Sequence, residues 1–96
     1  MPVYMVIESI EVTDEVKAKE YVTKAKPILE SYGAKYLASS DSITAFSDAW
    51  RPNRMVIIEF PDSDAVDKCF QSAEYKAIVQ LRLDSMKSKA VLVPSL

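Results

Sequence analysis

The hydrophobic pattern of this chain is dominated by short runs that are apolar on both sides of a β-strand. Residues 3–7 read VYMVI and residues 55–60 read MVIIEF, with only Glu59 interrupting them. A strand in a sheet with one solvent-exposed face alternates apolar and polar residues. These runs do not alternate, so both of their faces are expected to pack against other elements. The two longer helices of a chain this short can cover one face only. We therefore expect the other face to meet a second copy of the chain, giving a homodimer through the sheet faces.

A helix is predicted over residues 14–32, where apolar positions recur at helical spacing along one face. These positions are Ala18, Tyr21, Val22, Ala25, Ile28, Leu29 and Tyr32. Thr13 is the predicted N-cap of this helix. Gly33, the only glycine, stands where a left-handed C-terminal cap is needed.

The remaining pattern completes an alternation of strands and helices. Strands are predicted over 3–12, 34–40, 54–60 and 89–93. Residues 43–46 are a candidate continuation of the second strand, and residues 47–53 are predicted to form a loop. A second helix is predicted to begin at 61–64, and Ser72 is the predicted cap of a third, shorter helix. The order β-α-β-β-α-α-β is close to the split β-α-β arrangement of ferredoxin-like domains. We expect one α+β domain over residues 1–96, with a four-stranded antiparallel sheet and its helices on one face.

Composition and charge exclude several classes of partner. Apolar residues make up 49% and charged residues 27% of the chain, which is ordinary for a globular protein. The net charge is −2 without a basic stripe, so we expect no nucleic-acid partner. No apolar stretch approaches the ~18 residues of a membrane span, and the N-terminus lacks the pattern of a signal peptide. The expected location is cytoplasmic, with no membrane partner.

The chain contains one cysteine and no histidine. Cys69 falls on the inward side of the second predicted helix, where a buried and inert thiol is expected. The absence of histidine removes Ser-His-Asp and Cys-His nucleophile systems and the commonest transition-metal ligand. We therefore expect neither a metal site nor a cofactor.

Five short stretches, in order over most of the chain, carry a family resemblance. They read YGAKYL, WRPNR, VIIEFP, SAEY and LR, and they begin at Tyr32, Trp50, Val56, Ser72 and Leu81. Together they resemble the domain-of-unknown-function family thirteen-thirty, within the dimeric α/β-barrel superfamily. The resemblance implies a ferredoxin-like subunit that forms a homodimeric α/β barrel, and it implies no established activity. Relatives in the wider superfamily include cofactor-independent monooxygenases and enzymes that decompose small molecules, a likeness of fold that does not set function.

Glu59 is the most conspicuous polar residue because it interrupts an apolar strand, on the face opposite Ile58. A carboxylate in such a place needs a partner, and Arg51, Arg54 and Arg82 are the candidates. One hypothesis is a site in which arginine binds a small anionic or polar ligand while Glu59 orients the ligand or takes a proton. The alternative is a structural ion pair that ties the sheet to the third helix.

Four aromatic residues are candidates for lining a pocket, namely Trp50, Tyr32, Tyr36 and Tyr75. Apolar walls with hydroxyl tips are typical of small-molecule sites. The alternative is that these side chains pack in the core or the dimer contact, where aromatic residues supply much of the buried area. Trp50 lies in a loop, from which it could cover a pocket mouth or reach the partner subunit.

Three functions are open at this point. The first is a small homodimeric protein that binds a small organic ligand in a cleft between sheet and helices. The second is a cofactor-independent enzyme, monooxygenase-like or isomerising or decomposing a small molecule, in which Glu59 or a tyrosine handles the proton and Arg54 or Arg82 holds developing negative charge. The third is a structural dimerisation module without a ligand. We expect the first, with the other two as alternatives.

Overall fold

The computed structural model describes residues 1–47 and 49–96. Its elements in chain order are β1 (Val3–Val12), α1 (Glu15–Ser31), β2 (Lys35–Ser40), β3 (Arg54–Phe60), α2 (Ser63–Gln71), α3 (Ala73–Lys76), α4 (Val79–Ser85) and β4 (Met86–Pro94). The predicted α+β class is confirmed, and the bounds of β1 and β3 agree with the prediction. Within these described residues, none of the helices is both long and apolar enough to cross a bilayer.

The four strands form one antiparallel sheet with the order β2-β3-β1-β4. The two central strands, β1 and β3, are the two apolar runs of the sequence. Met5 of β1 pairs with Ile58 of β3 on one side and with Leu92 of β4 on the other. The most hydrophobic segments therefore occupy the two central positions of the sheet, where both neighbours are strands.

The sheet has a covered face and an open face. Val3, Ile58 and Phe60 point towards the helices and are 8%, 1% and 0% exposed, respectively. The molecule measures 38 × 37 × 15 Å, which leaves room for the sheet and a single helix layer. By the register of the strands, the open face contains apolar and charged residues: Tyr4, Val6, Glu8, Lys35, Met55, Ile57, Glu59, Lys89, Val91 and Val93.

The core lies between the covered face and the helices. Phe60 and Cys69 are fully buried there, and Leu29 of α1 is 3% exposed. The buried state predicted for Cys69 is confirmed, and burial raises the pKa of its thiol to about 11. A thiol with a raised pKa is a poor nucleophile at neutral pH, so Cys69 is part of the packing.

Helix α1 is fixed at both ends by local chemistry. Its N-cap is Asp14, whose carboxylate accepts a hydrogen bond from the Lys17 backbone N–H at 3.1 Å. The prediction of Thr13 as the cap is wrong by one residue, because the helix begins at Glu15 and the side chain of Asp14 makes the capping hydrogen bond. After the helix, Gly33 has a φ of 90°, which confirms the left-handed cap.

The predicted third helix is two short helices, α3 and α4. Ser72 caps α3 as predicted, with its hydroxyl accepting from the Tyr75 backbone N–H at 3.1 Å. Helix α4 starts after Ile78, which provides no side-chain cap. Tyr75 and Ile78 are both buried, so tertiary packing sets the path of the chain at this break.

Two strand boundaries differ from the prediction by more than one residue. Residues 43–46 are not a strand, because the pairing of β2 with β3 ends at Ser40 and the Ser40 hydroxyl accepts from the Ser42 backbone N–H. Strand β4 begins at Met86, since the residues before Lys89 already pair with β1. Of the predicted loop over 47–53, residue 48 lies outside the described residues, and the others form neither helix nor strand.

Candidate functional site

A cleft opens between the covered face of the sheet and helix α1. Its volume is about 530 Å³, which falls within the range of small-molecule sites. The floor is formed by alternate residues of β1 and β3, including Met5, Ile7, Val56 and Ile58, and α1 lines the cleft with Ala18, Tyr21, Val22, Ala25 and Leu29. Because most of this lining is apolar, the cleft can bury the hydrocarbon surface of a bound molecule.

One end of the cleft is polar. Ser9 pairs with Arg54 on one side and with Ser88 on the other, so these residues lie side by side on the covered face. Arg54 Nη2 donates to Ser39 Oγ at 2.7 Å, and Arg82 Nη2 of α4 donates to Ser88 Oγ at 3.1 Å. We call Ser9, Ser39, Arg54, Arg82 and Ser88 the polar row. Its serines hold both guanidinium groups at the same end of the cleft.

The cleft is positively charged in a protein that is acidic overall. Lys19, Arg54 and Arg82 line it, and its lining within the described residues includes neither aspartate nor glutamate. The ion pairs found in residues 1–47 and 49–96 involve neither of these arginines. Since the chain has 14 acidic and 12 basic residues, this local excess of cations is opposite in sign to the net charge. An uncompensated charge of this kind concentrates anions near the site.

Two tyrosines that line the cleft are hydrogen-bonded to each other. The hydroxyl oxygens of Tyr21 and Tyr75 are 2.8 Å apart, with their rings in an edge-on arrangement. Burial raises the pKa of Tyr21, the hydrogen bond to Tyr75 adds to this, and the charge of Arg82 opposes it. Burial also raises the pKa of Tyr36 to about 12. The Tyr21–Tyr75 bond uses one hydroxyl hydrogen of the pair, so the other is available to donate to a ligand.

Four of the predicted site residues line the cleft, namely Arg54, Arg82, Tyr36 and Tyr75. Tyr75 is also part of the core, where it is 4% exposed and packs edge-on against Phe70. Pocket lining and core packing, which the sequence presented as alternatives for the aromatic residues, are therefore combined in this one side chain.

The structure separates Glu59 from Arg54 and Arg82, which corrects the expected grouping of these residues. Ile58 is buried beneath the helices, and alternation along β3 therefore turns Glu59 to the open face. Both arginines line the cleft on the other side of the sheet. The register instead places Lys35 of β2 opposite Glu59. Neither the expected site nor the expected ion pair is formed by these three residues.

Trp50 and Tyr32 lie outside the cleft, which corrects the expectation that they line it. Trp50 is 61% exposed and borders a smaller depression of about 250 Å³ with Phe46 and Met55. The Tyr32 hydroxyl donates to the Glu74 carboxylate at 3.0 Å, which links the end of α1 to α3. Tyr32 thus has a structural contact, and Trp50 belongs to the loop between β2 and β3.

The sequence analysis missed Tyr21 and the serines of the polar row. Tyr21 was assigned to the apolar stripe of α1, where it does lie, but its hydroxyl reaches Tyr75 across the helix layer. Ser9 follows Ile7 by two positions and therefore shares its face of β1. A serine ending an otherwise apolar strand face was the available signal, and its meaning depended on the register that places Arg54 and Ser88 beside it.

Comparison with protein families gives one match over nearly the whole chain. The model of the family described as "Domain of unknown function (DUF1330)" matches residues 2–96. No curated protein matches the sequence significantly. The family match includes every residue of the cleft.

Several solved structures share the fold. A protein of unknown function from Rhodopseudomonas palustris has a TM-score of 0.83 at 15% identity, covering 99% of this chain and 82% of that one. The cofactor-independent oxygenase SnoaB from Streptomyces nogalater has a TM-score of 0.70 at 9% identity, covering 99% and 93%. A dabb family protein with a ferredoxin-like fold from Mesorhizobium loti has a TM-score of 0.67 at 16% identity, covering 100% and 99%. Similarity at these identities establishes the ferredoxin-like fold and not a function.

Proposed function

The chain belongs to the family described as domain of unknown function DUF1330, and from that premise we propose that it binds a small organic ligand in the cleft between its sheet and α1. The observation that carries the proposal is a cleft of about 530 Å³ with mostly apolar walls and polar groups gathered at one end. Small-molecule sites have this composition, with apolar walls that bury the ligand and a few polar groups that orient it. A module that only dimerises gains nothing from such a cavity, because unfilled space forfeits packing contacts.

The neutral fluorescent probe N-phenyl-1-naphthylamine tests this proposal, because its emission rises on transfer from water to an apolar site. Val22 lines the cleft and is 57% exposed on α1, so Val22→Trp should fill the cleft without disturbing the core. Val16 lies on the same helix, is 79% exposed and does not line the cleft, so Val16→Trp is the matched control. We expect Val22→Trp to weaken probe binding about tenfold or more, and Val16→Trp to leave it unchanged. Equal binding by both variants, or no binding by the wild type, would contradict the proposal.

A second candidate function is catalysis without a cofactor, the activity stated for SnoaB. The arrangement that favours it is the Tyr21–Tyr75 hydroxyl pair within the influence of the Arg82 charge. Hydrogen-bond donors and a fixed cation stabilise negative charge that develops on a substrate oxygen. Glu59 has no role in this scheme because it lies on the open face.

Oxygen uptake with electron-rich phenols as substrates tests this second candidate. Tyr21→Phe and Arg82→Gln should lower turnover, whereas Glu59→Gln should leave it unchanged. Loss of turnover in a folded Glu59→Gln protein would contradict this assignment of roles. A wild-type protein that consumes no oxygen with these substrates would count against oxygenase activity itself and would leave ligand binding in the cleft unaffected.

We also propose that two copies of the chain pack through their open faces. The centre of this face is apolar, and its edge residues Val91 and Val93 are 59% and 46% exposed. Contiguous apolar surface of this kind is typical of an association site. The register also pairs Glu59 with Lys35 near one corner and Glu8 with Lys89 near the opposite corner, so each copy offers both signs of charge to a two-fold-related partner. The cleft lies on the other side of the sheet, so dimerisation and ligand binding are compatible.

A further inference from the structure

We infer that the ligand of the cleft is an organic anion with an apolar body, bound with its charged head at the polar row and its body along the floor of β1 and β3. This inference rests on the proposed function and names the ligand class for the same site. It follows from three features of the cleft: its unpaired cations, the change from polar to apolar along its floor, and the tyrosine hydroxyls in its lining.

The cations of the polar row are oriented but not neutralised. Serine hydroxyls accept from Arg54 and Arg82, and a hydroxyl carries no charge to offset a guanidinium group. Each guanidinium has five N–H donors in a planar fork, so most of them remain for a ligand. Arg54 lies on β3 and Ser88 lies on β4, with Ser9 of β1 between them. The backbones of Arg54 and Ser88 are therefore two strand spacings, or about 10 Å, apart. Arg82 is held at the Ser88 side by its hydrogen bond to the Ser88 hydroxyl. A carboxylate or sulfonate above Ser9 would lie between both arginines and relieve their mutual repulsion.

The floor of the cleft changes from polar to apolar within one step along the strands. The row of paired residues next to Ser9 consists of Val56, Ile7 and Ala90, and the row after it contributes Ile58 and Met5 to the floor. Successive rows on one face of a strand are about 6.8 Å apart. A ligand with its charge at one end and hydrocarbon beyond it matches this order. A ligand that is polar along its whole length would leave its inner groups unpaired.

The tyrosine pair adds a neutral donor to the cleft. Tyr21, Tyr75 and Arg82 all line it, and the tyrosine pair has one hydroxyl hydrogen that its internal bond does not use. Because the cleft lining within the described residues contains no carboxylate, the polar groups around the head are donors with no competing anion. The site is therefore selective for acceptors that carry negative charge.

Two probes with the same aromatic body test the inference. 1-Anilinonaphthalene-8-sulfonate carries a sulfonate that N-phenyl-1-naphthylamine lacks, and both report binding by fluorescence. We expect wild-type protein to bind the sulfonate about tenfold more tightly than the amine. Arg54→Gln and Arg82→Gln should each weaken sulfonate binding about tenfold while changing amine binding by less than about twofold. Unchanged amine binding also shows that each variant is folded. Arg51→Gln is the matched control, because Arg51 is exposed in the loop and does not line the cleft.

The outcomes separate the inference from the proposed function. If both probes bind with equal affinity, or if the arginine variants weaken both probes equally, ligand binding stands and the anion preference is wrong. If sulfonate binding survives Val22→Trp, the anion binds elsewhere and the inference is overturned. If neither probe binds to wild-type protein, the proposed function and the inference fail together. A sulfonate affinity that falls with added salt while the amine affinity does not would support the inference.

Discussion

At the scale of single residues, the polar row shows how a hydroxyl and a carboxylate differ as partners for arginine. An aspartate in place of Ser39 or Ser88 would orient the guanidinium group and also neutralise it. The serines fix the positions of Arg54 and Arg82 through single hydrogen bonds and leave the charge available. The positive charge of the cleft is therefore held in place by two small, uncharged side chains, Ser39 and Ser88.

Gly33 is a residue whose replacement should be costly. Its φ is 90°, and a Cβ atom there would lie 2.8 Å from Pro61 Cγ. We expect Gly33→Ala to lower the free energy of unfolding by about 1–2 kcal/mol from backbone strain, with a further loss from the contact with Pro61. Denaturant unfolding of Gly33→Ala, Pro61→Ala and the double variant separates the two contributions. If the double variant recovers nothing relative to Gly33→Ala, the contact does not contribute.

Cys69 should make stability depend on alkaline pH. The pKa of its thiol is 9.0 ordinarily and about 11 in the fold because of burial. Below pH 9 the thiol is protonated in both states, so its contribution to stability is fully present. Between pH 9 and about 11 only the unfolded chain releases the proton, so this contribution is lost as the pH rises through that range.

Unfolding midpoints of wild-type protein and Cys69→Ala, measured at neutral pH and at pH 11, check this prediction. The wild type should lose more stability over that range than the variant, which lacks the thiol. An equal loss in both proteins would show that the thiol titrates normally.

At the scale of secondary structure, the local sequence predicts an element well where its own pattern decides it. The bounds of β1 and β3 follow from continuous apolar runs, and the end of α1 follows from the only glycine. Helices α3 and α4 could not be separated from sequence, because burial of Tyr75 and Ile78 interrupts a stretch whose spacing suits one helix. The predicted N-cap of α1 is one residue too early, since Thr13 and Asp14 are both good capping residues and the sequence does not show where the first helical turn begins.

The candidate site was predicted in part, for a reason that lies in the sheet. Alternation along β3 placed Glu59 on the face opposite Ile58, which is correct. It did not indicate which face the helices cover, because both faces of β3 are apolar. That choice depends on where α1 and α2 pack, and it decides whether Arg54 or Glu59 reaches the cleft. The arginines and Tyr75 were predicted from chemistry, whereas Ser9 and Ser88 needed the register.

The N-cap of α2 gives a test at this scale. The Asp62 carboxylate accepts from the Ala65 backbone N–H at 2.8 Å, satisfying one of the unpaired donors at the helix start. We expect Asp62→Ala to destabilise the protein by about 1 kcal/mol and Asp62→Asn to cost much less, because asparagine caps helices about as well. Thermal unfolding of both variants is the measurement. Equal losses would mean that the charge, and not the capping hydrogen bond, is what matters.

At the scale of the whole molecule, the two faces of one sheet have different proposed roles. The covered face forms the floor of the cleft, and the open face is the proposed contact with a second copy. Under these two proposals, neighbouring residues of a single strand, such as Val6 and Ile7, have different roles. A substitution at one position can change association while a substitution at the next changes ligand binding.

The proposed dimer can be tested at the edge of the open face. Val91 is 59% exposed in the single chain, so Val91→Lys should be tolerated by the fold and should place an unpaired charge in the contact. Leu83 on α4 is 64% exposed and is not on the sheet, so Leu83→Lys is the matched control. Sedimentation at micromolar concentration should show a dimer for the wild type and for Leu83→Lys, and a monomer for Val91→Lys. A folded wild-type monomer would contradict the proposal.

The most direct test of the account is methyl-resolved NMR during titration with 1-anilinonaphthalene-8-sulfonate. The aromatic rings of the probe shift the resonances of methyl groups that they contact. Ile7 and Val56 lie on the cleft floor, while Val6 and Ile57 are their chain neighbours on the open face. The account predicts saturable shifts at Ile7 and Val56 with little change at Val6 and Ile57. Shifts confined to Val6 and Ile57, or none at any of the four, would contradict it.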